Sequence, residues 1–425
     1  MNTKVFKFGG ASVNSAQGVR NVASILRLNP QDAVVVVVSA MGKTTNALEV
    51  LLSHFLSRDS VALVESFNGL RDYHLGIIHE LFKHKNHPVF QDTESLFTLL
   101  QGYIRKEHLY GEETHGYSFH YDQIVSYGEL ISTTIVSHYL NYSGITCTLF
   151  DARRLIYTDS TFRDARVNWE KTKKAVNAAL PGHHIAVTQG FIGGDADGNT
   201  TTLGREGSDY SAAILAYCLR SEEMTIWKDV PGIMNADPKW FSRVKKIDAL
   251  SYQEAIELAY FGASVIHPKT IKPLENANIT LHVKSFLRPD LSGTTIRNMK
   301  EWNITAPVFI RKQNQVLLSI SPRDFSFIME ENLGQIFTIL AAHQIKVNVM
   351  QNSAISFSIC IDAAAQELKS LIAELKKNYT VRYNDSVELY TIRHYDARAI
   401  NRITKNRNIL LEQKTRSTVH LVVTG

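Results

Sequence analysis

The sequence predicts an α/β fold, a mostly parallel sheet covered by helices, followed by two small α+β units. Three observations predict it. Through roughly the first 300 residues, short β-branched runs alternate with longer helical patterns, as in a sheet with helices on its faces. Glycine clusters stand where several of those runs end. After the turn-rich "LSGTTIRN" the rhythm shortens to strand, helix, strand, strand, helix, strand, and then the order begins again.

Taken in order, "KVFKF" predicts a strand over Lys4–Phe8 that ends beside Gly9 and Gly10, and the valine run predicts a second over Ala33–Ser39. From Asn46 to Tyr139 strand signal is almost absent, so about 46–140 reads as a helical insertion, and its polar positions mark it as a flank. Further strands are expected over Ile145–Phe150, His184–Thr188, Met224–Lys228 and Ile279–Val283. The domain reading is 1–295 for a catalytic unit, 306–385 for a first small unit and 386–425 for a second, which can interleave with the first.

A chain of 425 residues suggests two or three domains, and 44% hydrophobic with 20% charged residues is a soluble globular composition. The net charge of +5 is too mild to imply nucleic acid. The most basic stretch, Arg398–Arg416, is interleaved with Ile400, Ile403 and Ile409 and reads as the solvated face of an amphipathic unit. No apolar run approaches a membrane span, and the chain opens almost directly on a strand, so a cytoplasmic protein with no membrane partner is expected. Cys147, Cys218 and Cys360 are far apart in apolar contexts and read as reduced thiols; no direct protein ligand to a metal is expected.

Three stretches carry chemistry. A lysine and a glycine pair at a strand end, Lys7, Gly9 and Gly10, suit a phosphate cradle, with a helix expected directly after them. "SAMGKTTN", residues 39–46, is not a P-loop, because the glycine needed five positions before Gly42 is Val37; the hydroxyls of Ser39, Thr44 and Thr45 either bind a polar ligand or cap a helix. "TQGFIGGDADGNTTTLGREGSDYSAAILAY", residues 188–217, sets Arg205, Ser208 and Asp209 at a helix start. A cap alone needs neither the arginine nor the glycines, whereas Arg205 can grip a carboxylate and Asp209 can hold a lysine or magnesium. The glycines near Gly193 suggest a mobile lid.

"KFGGAS", "SYGE", "TTTLGREGSDYSAA", "WKDVPGIMNADP" and "ELAYFGASVIHPKTI" stand in the order and near the spacing of the aspartate kinases of the amino acid kinase superfamily, which the chain resembles over essentially its whole length. The resemblance implies a three-layer αβα sandwich with mostly parallel sheet, and two ferredoxin-like ACT domains at the C-terminal end. It implies transfer of the γ-phosphate of ATP, with Mg2+, to the side-chain carboxylate of L-aspartate, giving 4-phospho-L-aspartate on the way to lysine, threonine and methionine. That carboxylate is already ionised at neutral pH, so alignment and charge neutralisation matter and a general base does not.

By the same resemblance Lys7 and Asp209 form the catalytic pair, Lys7 neutralising the transferred group and Asp209 orienting Lys7 and the metal-bound nucleotide. Arg205 clamps the α-carboxylate with Ser39 and Ser208, Glu129 pairs with the ammonium, and Thr45 lines the pocket. Nucleotide contacts fall to Gly9, Gly10, Lys228, Asp229, Met234, Lys239, Ser264 and Val265, while His267 reads as structural. An amino-acid effector is expected near Gly334, taken as a helix start, Asn348 and Ser353.

The chain departs from the family pattern at Ala11, Lys228, Met234, Lys239 and Ser264, all on the nucleotide side; Lys228 is expected to restore a positive charge lost at Ser264. Asn348 and Ala354 stand where lysine-inhibited relatives carry acids, so weak or absent lysine inhibition is expected. "VELYTIRHY" reads as an exposed alternating strand, favouring a homodimer or higher homo-oligomer. Competing readings are a kinase of this fold acting on another amino-acid carboxylate, and a catalytically weak amino-acid sensor.

Overall fold

Five consecutive valines, 34–38, are buried on both faces, the pattern of an interior strand in a parallel sheet. In the computed structural model, which describes residues 3–110, 115–263, 266–299, 306–324, 326–362 and 364–424, they belong to β2 (Ala33–Val38), paired in parallel with β1 (Thr3–Phe8) so that Lys7 lies opposite Val37. The other strands of this unit are β3 (Thr148–Phe150), β4 (Ile185–Gln189), β5 (Ile192–Gly194), β6 (Thr200–Thr202), β7 (Glu223–Lys228), β8 (Ala249–Ser251), β9 (Thr280–Ser285) and β10 (Thr294–Arg297). Eight form one sheet, ordered β3-β4-β2-β1-β7-β9-β10-β8, in which only β9 and β10 are antiparallel. Each strand expected before residue 300 is present, whereas β8 and β10 are too short to show a period.

β5 and β6 form a buried antiparallel ribbon. A Cβ at Gly193 would stand 2.7 Å from the Ile156 carbonyl oxygen, so this glycine serves close packing.

The helices of this unit are α1 (Ala16–Arg27), α2 (Thr44–Leu56), α3 (Ser60–Leu81), α4 (Pro88–Tyr110), α5 (Tyr117–Val125), α6 (Tyr127–Tyr142), α7 (Trp169–Ala179), α8 (Gly207–Leu219), α9 (Tyr252–Tyr260) and α10 (Pro268–Ala277). The described residues of the insertion form helices joined by short connections, but the insertion is more than a flank. α6 is buried from Gly128 to Ser137 and shares the core with Val34, Val36, Val38, Ile185 and Val187. Its polar residues tolerate burial because they are bonded: Ser132 Oγ donates to the Ser39 carbonyl (2.7 Å) and Thr133 Oγ1 to that of Glu129 (2.8 Å). A 3₁₀ turn, Gly10–Ser12, intervenes between the glycine pair and α1, so no helix begins directly after Gly10.

The chain divides into two compact units, Met1–Ile233 with Lys246–Ile256 and Val265–Lys300, and Met234–Lys245 with Glu257–Ser264 and Glu301–Gly425. The second contains β11 (Val308–Pro322), α11 (Glu330–Ala342), β12 (Val347–Asn352), β13 (Phe357–Asp362), α12 (Ala365–Leu375), β14 (Tyr379–Arg393), α13 (Ala397–Thr404), β15 (Asn408–Lys414) and β16 (Thr418–Thr424). Its antiparallel sheet runs β12-β13-β11-β14-β16-β15. The long β11 and β14 pair along most of their length, with register shifts between Lys312 and Leu317. On one side of those shifts α11 and α12 cover a core around Leu318, Ile320 and Ile359; on the other α13 covers Ile392, Val419 and Leu421. These are ACT-like layers sharing two strands.

"VELYTIRHY" falls mostly in β14, between β11 and β16, so it is not the exposed edge its alternation suggests. The edges are β12 and β15, and Gln413 Nε2 donates to the Met350 carbonyl (3.1 Å), so even these approach each other. Of the basic stretch, Arg398 is exposed as expected, but Arg402 packs over the rings of Phe241 and Phe309 at 5.1 and 5.4 Å. All three cysteines are free, Cys218 and Cys360 buried and Cys147 partly so. Among the described residues no helix is long and apolar enough to cross a membrane.

Candidate active site

At the carboxyl ends of β1, β2 and β7 a cavity of about 540 Å³ opens within the first unit. Strand ends, the N-terminal turns of α2 and α8, and the turn carrying Arg163 build its wall. Two glycines permit the close approach of these segments. A Cβ at Gly10 would meet the Ala40 carbonyl oxygen at 2.6 Å, and one at Gly190 would meet Ser208 Cβ at 2.5 Å.

Neither hydroxyl-rich helix start is simply a cap. The residue capping α2 is Lys43, and that capping α8 is Glu206, in left-handed backbone with φ 54°; neither uses its side chain for capping. Thr45, Ser208 and Asp209 therefore lie inside the first turns and line the cavity, at the positive dipole ends of the two helices.

Lys7, delivered by β1, places Nζ 2.6 Å from Asp209 Oδ1, with only 11% and 5% of the two side chains exposed. The contact is an ion pair rather than an aligned hydrogen bond. Glu129, from the first turn of α6, is 3% exposed; its Oε1 accepts from Ala40 N (3.1 Å), while Oε2 has no hydrogen-bond partner among the described residues. Burial pushes its carboxyl up to about 8, against the pull of the Ala40 amide and the Lys7 charge.

Of the residues singled out in the sequence, Lys7, Gly10, Ser39, Thr45, Glu129, Arg205, Ser208, Asp209 and Lys228 all line this cavity. Gly9 lies beside it, where a Cβ would stand 3.4 Å from Lys7 Nζ. Asp229 is exposed just beyond β7 and is not part of the wall. Met234 and Lys239 belong to the second unit, half-buried and exposed respectively. Ser264 and Val265 lie outside the described residues. His267 caps α10, its Nδ1 accepting from Lys269 N (3.2 Å), in keeping with a structural role.

The effector set is scattered within the second unit. Gly334 lies more than a turn inside α11, where its N–H belongs to the helix ladder, so it offers no open helix start. Ser353 closes the β12–β13 turn with Ser356, and Asn348 sits at a bulge of β12, accepting from Lys312 Nζ (2.8 Å) and donating to Gln315 (2.7 Å) and Asp362 (3.0 Å).

Sequence reading passed over Tyr121, Arg163, Phe191 and Glu206, which also line the cavity. No spacing announces them. Phe191, Arg163 and Glu206 share a different mark, positive φ of 69°, 71° and 54°, visible only in the backbone.

Residues 2–285 match the amino acid kinase family. Over 408 residues the chain is 32% identical to aspartokinase 2, chloroplastic, of Arabidopsis thaliana, covering 89% of this chain and 72% of that protein. It is 30% identical to lysine-sensitive aspartokinase 3 of Escherichia coli K12, covering 91% and 86%. The structure superposes on E. coli aspartokinase III in complex with lysine and aspartate, and on the same enzyme in complex with aspartate and ADP, each with a TM-score of 0.80 and 28% identity over 99% of this chain and 96% of the other. The chain belongs to the amino acid kinase family, among its aspartokinases.

Proposed function

We propose that this chain is an aspartate kinase that transfers the γ-phosphate of ATP to the side-chain carboxylate of L-aspartate. One observation carries the reading: the buried Lys7–Asp209 pair and the unpartnered Oε2 of Glu129 face one cavity that also holds Arg205. An amino acid with a free ammonium, a free α-carboxylate and a second carboxylate meets a counterpart for each.

In this reading Glu129 takes the ammonium and Arg205, with Ser39 and Ser208, holds the α-carboxylate. The side-chain carboxylate then lies toward Lys7, which neutralises the charge gathering on the transferred phosphoryl group. Asp209 holds Lys7 in place. The cradle for the phosphates is made by Gly10 and the first turn of α8, with Lys228 as a further cation on the nucleotide side.

A magnesium ion held mainly by nucleotide phosphates and water fits this donor set, since such an ion needs only one or two protein carboxylates and Asp209 stands on the wall. When bound it would neutralise and align the phosphates. In the second unit, a regulatory amino acid is the proposed effector, and the exposed Phe327, Met329, Phe337 and Ile355 offer apolar surface for a second copy.

The test is a hydroxylamine trap for acyl phosphate with ATP, magnesium and L-aspartate. Hydroxamate formation that depends on aspartate is the expected result. Product only with a different amino acid would move the substrate assignment, and no product with any would leave a sensor.

A further inference from the structure

We infer that Arg163 is a second cationic anchor for the α-carboxylate of the acceptor, working beside Arg205. The inference rests on the aspartate kinase reading.

Arg163 holds φ at 71°, a conformation glycine takes freely and an arginine does not. Strain of this kind persists where surroundings impose it, and it gathers at working sites. Here the surroundings are explicit. The Arg163 N–H faces both carboxylate oxygens of Asp122, at 3.1 and 3.0 Å, and the same buried carboxylate accepts from Thr202 N and Oγ1, each at 2.7 Å. Asp122 thus pins the turn to β6.

The guanidinium is fixed as well. It lies over the ring of Tyr121 at 4.7 Å and within 5.2 Å of the Tyr117 ring centre. Stacking uses the faces of the guanidinium and leaves its in-plane N–H donors for a ligand. Among the described residues no carboxylate side chain forms an ion pair with either Arg163 or Arg205. Both line the cavity.

The two arginines share one stretch of wall. A Cβ at Gly204, the residue before Arg205, would stand 3.2 Å from the Arg163 carbonyl oxygen and 2.6 Å from Asp164 Oδ1. The acids nearby are already engaged, Asp164 by Lys269 and Asp122 by the Arg163 and Thr202 amides and the Thr202 hydroxyl, so a bound anion is what would complete the two guanidinium groups. Tyr121, the platform for Arg163, stands on α5, which leads directly into α6 and Glu129. The ammonium and α-carboxylate of one amino acid require opposite charges side by side, which this placement supplies.

The test compares L-aspartate with L-aspartic acid α-amide in the wild type, Arg163→Gly and Arg163→Lys. Glycine relaxes the backbone and keeps the N–H that Asp122 holds, so Arg163→Gly should melt no earlier than wild type. It should lower kcat/KM for aspartate about tenfold, the cost of one charge-assisted contact, through KM for aspartate and with KM for ATP unchanged. With the α-amide the same substitution should have little effect, and Arg163→Lys should recover part of the loss. Equal losses on both substrates, a raised KM for ATP instead, or no loss would each overturn the inference. Calorimetric binding of L-aspartate makes the same comparison without turnover. A wild type that forms no acyl phosphate would then refute the kinase reading, while the binding difference still decides for or against Arg163.

Discussion

Glu129 gives the sharpest quantitative expectation. Its carboxyl is held at about 8 against an ordinary value of 4.5, a gap that corresponds to ~5 kcal/mol against ionisation inside the wall. An ammonium placed beside Oε2 reverses that balance, so aspartate binding should drive a proton off Glu129. At pH 7 the free protein carries about 0.9 of that proton and at pH 8.5 about 0.2, from the titration of one group. Titration calorimetry in two buffers of different ionisation enthalpy reads the number directly. Binding should release about 0.9 proton at pH 7, falling with pH, and the apparent affinity at pH 7 should lie about tenfold below its high-pH limit. Glu129→Gln should release none and bind more weakly by about 1.5–3 kcal/mol, the worth of a hydrogen bond to a charged group.

Stability has the opposite sign. A carboxyl raised in the fold stabilises most below its unfolded value of 4.5, and that contribution is lost as pH rises through 8. The Gln variant should therefore gain on wild type in melting temperature across that window. Proton release near zero at pH 7, or a Gln variant that binds aspartate as wild type does, would refute the reasoning.

Lys7→Met leaves Asp209 charged and unpaired in the wall, which should cost about 3–5 kcal/mol in thermal or denaturant unfolding and abolish hydroxamate formation; Lys7→Met with Asp209→Asn should regain stability but not activity. Lys228→Ala should raise KM for ATP about tenfold and leave KM for aspartate alone, whereas unchanged ATP kinetics would remove Lys228 from the donor side. Micromolar lysine should not inhibit, because Asn348 brings no charge and is already bonded to Lys312, Gln315 and Asp362; a steady-state titration showing micromolar inhibition would contradict this.

Much of the fold was legible because local chemistry and tertiary position agree. The valine run of β2 can only be an interior strand, and the glycines around residue 190 and the run from Arg205 to Asp209 mark a turn and a helix start whatever surrounds them. α6 was harder to read. Its serines and threonines look exposed, yet their hydroxyls bond to backbone carbonyls and let the helix sink against the sheet. "VELYTIRHY" misled for the complementary reason, since alternation marks one buried face and says nothing of whether the strand's edges are paired.

From the sequence alone come the strand order of residue types, the helical insertion and the candidate polar residues, because periodicity, turn chemistry and motif spacing are local properties. Only the tertiary structure decides that Glu129 is buried with one oxygen unpartnered, that Gly334 lies inside a helix, and that Arg163 stands in left-handed backbone beside Arg205. Burial, strain and proximity depend on residues tens of positions apart: Asp122 and Tyr121 fix Arg163 from about 40 residues away, and no window along the chain contains them together.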